Sequence, residues 1–300
     1  MSMYQAGPSI ISMSARSFIC LVAFCAGVAQ AGAADDCAGT PGESGPSGDC
    51  VAVGKWNFSV SLGAGVRTNP VAGGEDIPLV VIPHFSYYGK RFFIEDLDVG
   101  FTLAENAANT LSLVASPGYD RVFFYRSDLQ NIFVTGLPTA SADVPVSYAR
   151  VSGSAPNAIP IPTSARHVTY LAGPEYTFKL YGISGQLDVL HDITDQDNGT
   201  EVRAALGVPL IRSHGSLSAN AGVTWKSAGI VNYYYGVPTI YQAGAALDPF
   251  VKLGYTVPMS GHWRFSAFAQ YERLGSAIAD SPIVAERYVA TVFVGATYTF

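Results

Sequence analysis

The residues that could bind a metal ion are scattered along this sequence. The five histidines are His84, His167, His191, His214 and His262. Each falls on a separate predicted strand or turn, and none has a second ligand at the close spacing that zinc sites use. The sequence therefore predicts no metal site and no cofactor.

An acidic segment offers a second possibility, a calcium site. It contains Asp192, Asp195, Asp197, Asn198 and Glu201. The spacing departs from the helix-loop-helix calcium pattern, because the glycine comes too early and no glutamate stands at the twelfth place. A solvated outer loop is the favoured interpretation, and weak binding of divalent cations beside lipopolysaccharide is the alternative.

Acid-base catalysis would need a histidine with an orienting carboxylate. His191 with Asp188 or Asp192 is the available combination. Asp188 and His191 have opposite strand parity, and no motif nominates a serine nucleophile for them. We therefore predict that the protein is not an enzyme and has no catalytic residues.

The start of the chain indicates export. Arg16 precedes an apolar run over residues 18–28, and Ala29-Gln30-Ala31 forms a small-x-small cleavage site. This order is that of a secretory signal peptide, predicted here over residues 1–31. Lipid modification of Cys25 is disfavoured by the large Phe24 before it.

The mature chain has two cysteines, Cys37 and Cys50, in a leader over residues 32–54 that is rich in Gly, Ser, Pro and Asp. In an oxidising periplasm they are expected to form a disulfide, which would stabilise the leader by about 3 kcal/mol in the chain-entropy model. Two free thiols are the alternative. The leader itself cannot bury a core and is predicted to be a periplasmic tail.

Composition limits the class of protein. Charged residues make up 13% of the chain and aromatic residues 12%, and the formal net charge is -6. Nucleic-acid binding would need a clustered excess of Lys and Arg, so no nucleic-acid partner is expected. After the signal peptide no uninterrupted apolar run approaches the roughly 18 residues of a helical membrane span.

The hydrophobic residues alternate instead with polar ones. Residues 286–300 are an example: Tyr288, Val292, Tyr298 and Phe300 share one parity, and threonines fill the other. Similar alternation recurs along residues 55–300, with nearly every strand apolar on one side. A soluble sandwich would need a second sheet to cover that side. The pattern predicts an all-β fold, a transmembrane antiparallel up-and-down β-barrel of about 12 strands, with 10 as the alternative.

The predicted connections differ in length. Tight turns are placed at Gly89, Gly118, Lys179, Gly215 and Gly261. Longer connections are placed at 68–76, 104–108, 135–165, 192–200, 227–244 and 275–285. Two of the predicted strands are Arg91 to Leu103 and Arg121 to Val134, and a further short strand is placed around Val146 to Val151. Short turns at one end and long loops at the other are typical of outer-membrane barrels.

Charged residues recur on the inward parity and carry both signs. The charges predicted to face the lumen are Arg67, Glu175, Asp188, Glu201, Arg203, Lys226, Lys252, Arg264 and Glu272. They could satisfy one another inside a closed lumen, or they could line a narrow hydrated path. A pore selective for one sign of ion would favour one sign of charge, so general diffusion is not favoured.

Two aromatic groups stand out. Tyr298 and Phe300 are expected to act as an assembly signal, with the last strand pairing antiparallel to the first to seal the barrel. Tyr233, Tyr234 and Tyr235 form a candidate recognition patch on a loop, or they pack that loop over the mouth of the barrel. Sequence alone leaves those two alternatives open.

Several segments resemble a known family. They are Leu62 to Val66, the run Tyr87 to Phe93, the tyrosine loop Asn232 to Val237, Ala279 to Val284, and the ending Tyr298-Thr299-Phe300. In this order they resemble the MipA/OmpV family of outer-membrane proteins. The resemblance implies an outer-membrane location in a Gram-negative cell, contact with lipid and lipopolysaccharide, and insertion by the barrel-assembly machinery.

The resemblance also implies partners, since the family's namesake scaffolds a murein lytic transglycosylase and a bifunctional penicillin-binding synthase. Our first functional hypothesis is a scaffold that links the outer membrane to peptidoglycan-remodelling enzymes. The alternative is a small-solute channel or antibiotic-permeability factor, and the third is a surface adhesin.

Overall fold

The computed structural model describes residues 53–125 and 166–300. Twelve strands run through them: β1 (Trp56–Arg67), β2 (Ile77–Tyr88), β3 (Phe92–Glu95), β4 (Asp98–Glu105), β5 (Asn109–Pro117), β6 (Tyr170–Leu180), β7 (Ile183–Asp192), β8 (Thr200–Arg212), β9 (Ser216–Lys226), β10 (Ala246–Ser260), β11 (Trp263–Arg273) and β12 (Tyr288–Thr299). A 3₁₀ helix (Tyr119–Phe123) follows β5, α1 (Ala228–Tyr235) follows β9, and the one-turn α2 (Ser276–Ala279) follows β11. No helix in the described part of the chain is long and apolar enough to cross a membrane.

The strands form one closed antiparallel barrel in sequence order. The last strand pairs with the first, from Ser59 opposite Thr299 to Arg67 opposite Thr291. This closure leaves no free first or last edge strand. The predicted fold class is therefore confirmed, with 12 strands rather than 10.

The two faces of each strand differ as the alternation requires. On β12, Val292 and Val294 are 45% and 53% exposed on the outside, whereas Phe293 and Thr291 are 1% and 2% exposed on the inside. Phe293 has space because Gly63 and Gly65 on β1 lie beneath its ring, where a Cβ would come within 3.0 Å of ring atoms. The outer face is apolar, and the inner face mixes polar and apolar side chains.

The connections have unequal lengths at the two ends. The short-turn end carries the turns at 89–91, 106–108, 181–182, 213–215 and 261–262. At one of them Tyr181 and Gly182 both have positive φ, the geometry of a two-residue hairpin turn. The long-loop end carries the connections at 68–76, 118–169, 193–199, 227–245 and 274–287. We use these two names for the ends throughout.

Three predictions about individual elements were wrong. The strand predicted from Arg91 to Leu103 is split into β3 and β4 by a tight turn at Asp96, whose φ is 52°. The predicted loop at 104–108 is a short turn, and Gly118 opens a long connection instead of a tight turn. The total of twelve was thus reached with a different set of strands.

The prediction of a strand from Arg121 to Val134 also fails in its described part. Residues 119–123 form the 3₁₀ helix, and its Val122 is 1% exposed because the segment folds inward. The rest of that strand, the loop at 135–165 and the short strand near Val146 lie outside the described residues. So do the signal peptide, most of the leader, Cys37 and Cys50.

The pairing of β1 with β2 shifts register between Leu62 and Gly65. A bulge of this kind moves the following side chains to the opposite face. Leu79 has the same sequence parity as Val81 and Phe85, yet it is buried inside the barrel at 0% exposure. It packs there in an apolar cluster with Ile77, Ile82, Phe268 and Phe293.

Candidate functional site

Short helices fill the lumen at the long-loop end. Ile230, Val231, Tyr234 and Tyr235 of α1 are each 2% exposed or less, and they form an apolar cluster with Ile278 of α2 and inward residues of the wall. We call α1, α2 and the 3₁₀ helix the plug. Most apolar side chains of the plug are therefore buried inside this end of the lumen.

A buried ion network attaches the plug to the wall. The Nζ of Lys226 on β9 lies 2.8 Å from Asp120 Oδ1 of the 3₁₀ helix and 3.3 Å from Asp248 Oδ2 of β10. The hydroxyl of Tyr235 donates to Asp120 Oδ1 at 2.7 Å, and the N–H of Gly275 donates to Asp248 Oδ1 at 2.7 Å. One lysine thus joins two strands of the wall with the 3₁₀ helix and, through Tyr235, with α1.

A second polar cluster lies on β6, β7 and β8. Arg203 pairs with Glu201, and its Nη1 donates to Ser116 Oγ at 3.3 Å. The Nε2 of Gln186 lies 2.9 Å from Glu175 Oε2 and 2.9 Å from Asp188 Oδ1. Arg203 therefore has an acid and a hydroxyl as partners, whereas the two acids Glu175 and Asp188 share the neutral amide of Gln186.

Between these clusters lies a cavity of about 150 Å³. Its charged lining comprises four cations and four acids: Arg67, Arg203, Lys226, Lys252, Asp98, Asp120, Glu201 and Glu272. Asn220 and Gln270 add amide groups, and Tyr119, Phe123 and Phe250 add aromatic surface. The cavity is thus polar and contains charges of both signs.

Some polar groups at the cavity have few partners among the described residues. Asn220 is 8% exposed, and its Nδ2 has no hydrogen-bond acceptor. Arg67 donates one long bond, from Nε to Thr291 Oγ1 at 3.4 Å. Unpaired buried donors are costly, so these groups are the ones that a bound molecule would stabilise most.

The nine charges predicted to face the lumen have the following positions. Six line the cavity: Arg67, Glu201, Arg203, Lys226, Lys252 and Glu272. Glu175 and Asp188 belong to the cluster held by Gln186. Arg264 is nearer the short-turn end, where its Nη2 donates to Thr299 Oγ1 at 3.0 Å.

Sequence reasoning missed Asp98 and Asp120 as cavity residues. Asp120 lay in a predicted tight turn and Asp98 in the middle of a predicted strand, so neither position indicated a role inside the barrel. The signal that could have found Asp120 is the cation Lys226 on an inward position, since a buried lysine requires an acidic partner.

The tyrosine patch is mostly unavailable to a ligand. Tyr234 and Tyr235 are 1% and 0% exposed, and Tyr234 lies against Thr169 with 3.1 Å between their hydroxyl oxygens. Tyr233 is half-buried, and its hydroxyl accepts from the N–H of His167 at 2.7 Å. These contacts are therefore those of side chains packed over the mouth of the barrel. They do not leave all three rings available as a recognition patch.

The acidic loop after β7 uses its main carboxylate internally. The two oxygens of Asp192 accept five hydrogen bonds from Thr194, Gln196, Asp197 and Asn198, at 2.6 to 3.1 Å. Burial raises the pKa of Asp197 to about 6, although the N–H of Gly199 donates to it. Within residues 53–125 and 166–300, no group of three or more His, Cys, Asp or Glu side chains could hold a metal ion.

The structure does not bring together the acid-base pair considered from the sequence. Asp188 is 1% exposed inside the barrel and bonds to Gln186, whereas His191 is exposed, with its Nδ1 3.0 Å from Thr200 Oγ1. His84 has a carboxylate neighbour instead in Asp96, at 2.9 Å. Asp96 also accepts the N–H of Phe85 and so stabilises the turn between β3 and β4.

A closed antiparallel barrel with an apolar outer face, a polar lumen and unequal connections at its ends defines an integral outer-membrane β-barrel protein. The family profile described as "MltA-interacting protein MipA" matches residues 60–300, and the chain belongs to that family. The protein is accordingly located in the outer membrane.

Named relatives agree with this assignment. The MltA-interacting protein of Escherichia coli (strain K12) is 25% identical over 260 residues, which cover 83% of this chain and 93% of that protein. The outer membrane protein YiaT of the same organism is 24% identical over 253 residues, covering 81% and 91%. OmpV of Vibrio cholerae serotype O1 is 32% identical over 104 residues, covering 31% and 40%.

Proposed function

We propose that this protein is a non-enzymatic scaffold whose short-turn end binds enzymes that remodel peptidoglycan. The observation that carries the proposal is the charge of that end. Five cations are exposed there, Lys55, Lys90, Arg91, Lys179 and Arg212, whereas two exposed acids lie near that end within the described part of the chain, Glu105 and Glu95. Because short turns face the periplasm in barrels of this class, a basic surface is directed toward the cell wall and its enzymes.

The relatives support the choice of partner. Two of them carry the name "MltA-interacting protein". We therefore expect a lytic transglycosylase as the first partner and a penicillin-binding synthase as the second, both contacting the basic end through acidic surface. The leader at 32–54 contains four acidic residues and no Lys or Arg, so the proposed basic surface is that of the turns themselves.

The plug supports a role at the surface rather than in bulk flow. Its buried side chains occupy the lumen at the long-loop end, and Lys226 holds it to the wall through two carboxylates. A general-diffusion pore would need that space to be open and filled with water. The scaffold needs only a stable barrel and an accessible periplasmic face.

Affinity capture tests this proposal. The tagged protein, refolded in detergent, is used to recover partners from solubilised envelope extracts at low and high salt. The triple variant Lys90→Glu, Arg91→Glu, Lys179→Glu should lose the transglycosylase, and wild-type recovery should weaken as salt increases. Arg287→Glu at the long-loop end is the matched control, since this arginine is also exposed. Equal recovery by the triple variant and the wild type would contradict the proposal.

A second candidate, permeation of small solutes, is favoured by one observation. The cavity of about 150 Å³ is polar and contains charges of both signs, as a narrow hydrated path would. Planar-bilayer recording on the refolded barrel separates the two functions. Discrete conductance steps would favour the channel, and their absence from verified insertions would remove it.

A further inference from the structure

One side of the cavity wall presents hydrogen-bond donors in a single row. Arg67 lies opposite Thr291, which lies opposite Gln270, and Gln270 lies opposite Lys252, which lies opposite Asn220. These five inward residues therefore occupy one register across β1, β12, β11, β10 and β9. Neighbouring strands are about 4.8 Å apart, so the row spans about 19 Å of wall, and a small molecule can contact one part of it.

The donor row includes an amide that the described residues do not satisfy. Asn220 is only 8% exposed and lines the cavity, and its Nδ2 has no hydrogen-bond acceptor. Arg67, at the other end of the row, donates only the 3.4 Å bond to Thr291. Both residues therefore retain N–H donors for an acceptor inside the cavity, and a carboxylate is an acceptor that matches a guanidinium.

An acceptor stands beside the donor row. Glu272 is two residues from Gln270 on β11, so it faces the same way one step nearer the plug. It lines the cavity, makes no direct hydrogen bond within 53–125 and 166–300, and lies within electrostatic range of Lys226 and Arg67. A carboxylate in this position would be stabilised by a cationic group of a ligand.

Charge and size select the class of ligand. The lining carries four cations and four acids, so a molecule without net charge but with separated charges matches it better than a simple anion or cation. The cavity of about 150 Å³ has room for about five waters at roughly 30 Å³ each. Tyr119, Phe123 and Phe250 supply apolar contact for a short side chain.

We propose that the lumen cavity is a binding site for a small zwitterion of the α-amino-acid class. Its carboxylate accepts hydrogen bonds from Arg67, and its ammonium group pairs with Glu272, two strands away on β11. The plug covers the cavity on the long-loop side, whereas the inward residues Ser218 and Thr256 are partly exposed toward the short turns. The ligand therefore enters from the periplasmic side, and this site is independent of the proposed scaffold function.

Calorimetric titration of the refolded full chain tests the site. Alanine is the probe, with acetate and ethylammonium as probes for its two halves, in a maltoside micelle because a zwitterionic detergent would compete. Alanine should bind more tightly than either half. Arg67→Gln and Glu272→Gln should each weaken alanine binding at least about tenfold, since each removes a charge-assisted bond.

The two halves give separate readouts. Glu272→Gln should leave acetate binding unchanged, whereas Arg67→Gln should abolish it. Arg264→Gln is the matched control, because Arg264 also faces the lumen but bonds to Thr299 outside the cavity. Arg67→Lys repeats the test without changing a charge if Arg67→Gln fails to fold, since lysine cannot make the bidentate bond to a carboxylate. The proposal is overturned if alanine does not bind the wild type, if acetate binds as tightly as alanine, or if the folded variants bind like the wild type.

Discussion

Replacing Lys226 with methionine tests whether the buried ion network holds the plug in the lumen. Methionine keeps the length and the apolar stem of lysine but removes its charge. Asp120 and Asp248 would then share no cation, although they are 4% and 0% exposed. The free energy of unfolding should therefore fall.

The structure sets the size of the effect. Removing one partner of a buried ion pair costs about 3–5 kcal/mol, because the remaining charge is uncompensated. Asp120 keeps the hydrogen bond from Tyr235 and Asp248 keeps that from Gly275, each at 2.7 Å. These bonds place the expected loss near the lower limit, at about 3 kcal/mol. The double variant Lys226→Met, Asp120→Asn should recover about 1–2 kcal/mol, since one of the two carboxylates is then neutral.

The assay is urea unfolding of the refolded barrel in micelles, followed by tryptophan fluorescence and by heat-modifiable migration. Trp225 precedes Lys226 in β9 and reports on that part of the wall. Arg287→Met is the control, because the Arg287–Asp280 pair is 69% and 51% exposed and should contribute no more than about 1 kcal/mol. A loss below about 1 kcal/mol for Lys226→Met, or no recovery in the double variant, would refute the argument.

Three further predictions use the same preparation. Tyr235→Phe removes the 2.7 Å bond to Asp120 and should lower the free energy of unfolding in urea by about 1.5–3 kcal/mol. An unchanged free energy would mean that Asp120 has another donor in its place. The raised pKa of Asp197, about 6, means that protonation stabilises the folded loop: stability should increase as pH falls from about 7 to 4, by no more than about 1 kcal/mol. Asp197→Asn should reduce that slope, and an unchanged slope would assign it to other groups. Phe300→Ala should lower the yield of heat-modifiable, membrane-inserted protein, and normal insertion would contradict its role as an assembly signal.

Alternation was sufficient to predict the wall of the barrel. The two faces of β12 carry such different side chains that only one register buries Phe293 and exposes Val292 to lipid. Pairing of that strand with β1 then follows from closure, because a membrane strand cannot leave an unpaired edge in lipid. The charges on inward positions likewise alternate with apolar residues along most strands.

The alternation of apolar and polar residues did not predict the segments inside the barrel. Residues 119–123 contain apolar side chains that must be buried, and sequence cannot tell burial against lipid from burial in a lumen. The turn between β3 and β4 also lacked a signal, since Asp96 adopts its left-handed conformation without a following glycine. Helix α1 has three consecutive tyrosines, and Ser227 before it makes no side-chain capping bond, so little in the sequence indicated a helix.

The four-residue β3 has a consequence for how the wall can change in circumference. Every neighbour in the barrel is antiparallel, and the last strand meets the first, so strands can be gained or lost only as hairpins. Deleting β3 alone would place β2 and β4 side by side in parallel, whereas deleting β3 with β4 would leave a ten-strand ring of the same handedness. A hairpin such as β3–β4 is thus the smallest unit whose gain or loss changes the width of the lumen while the first and last strands still pair.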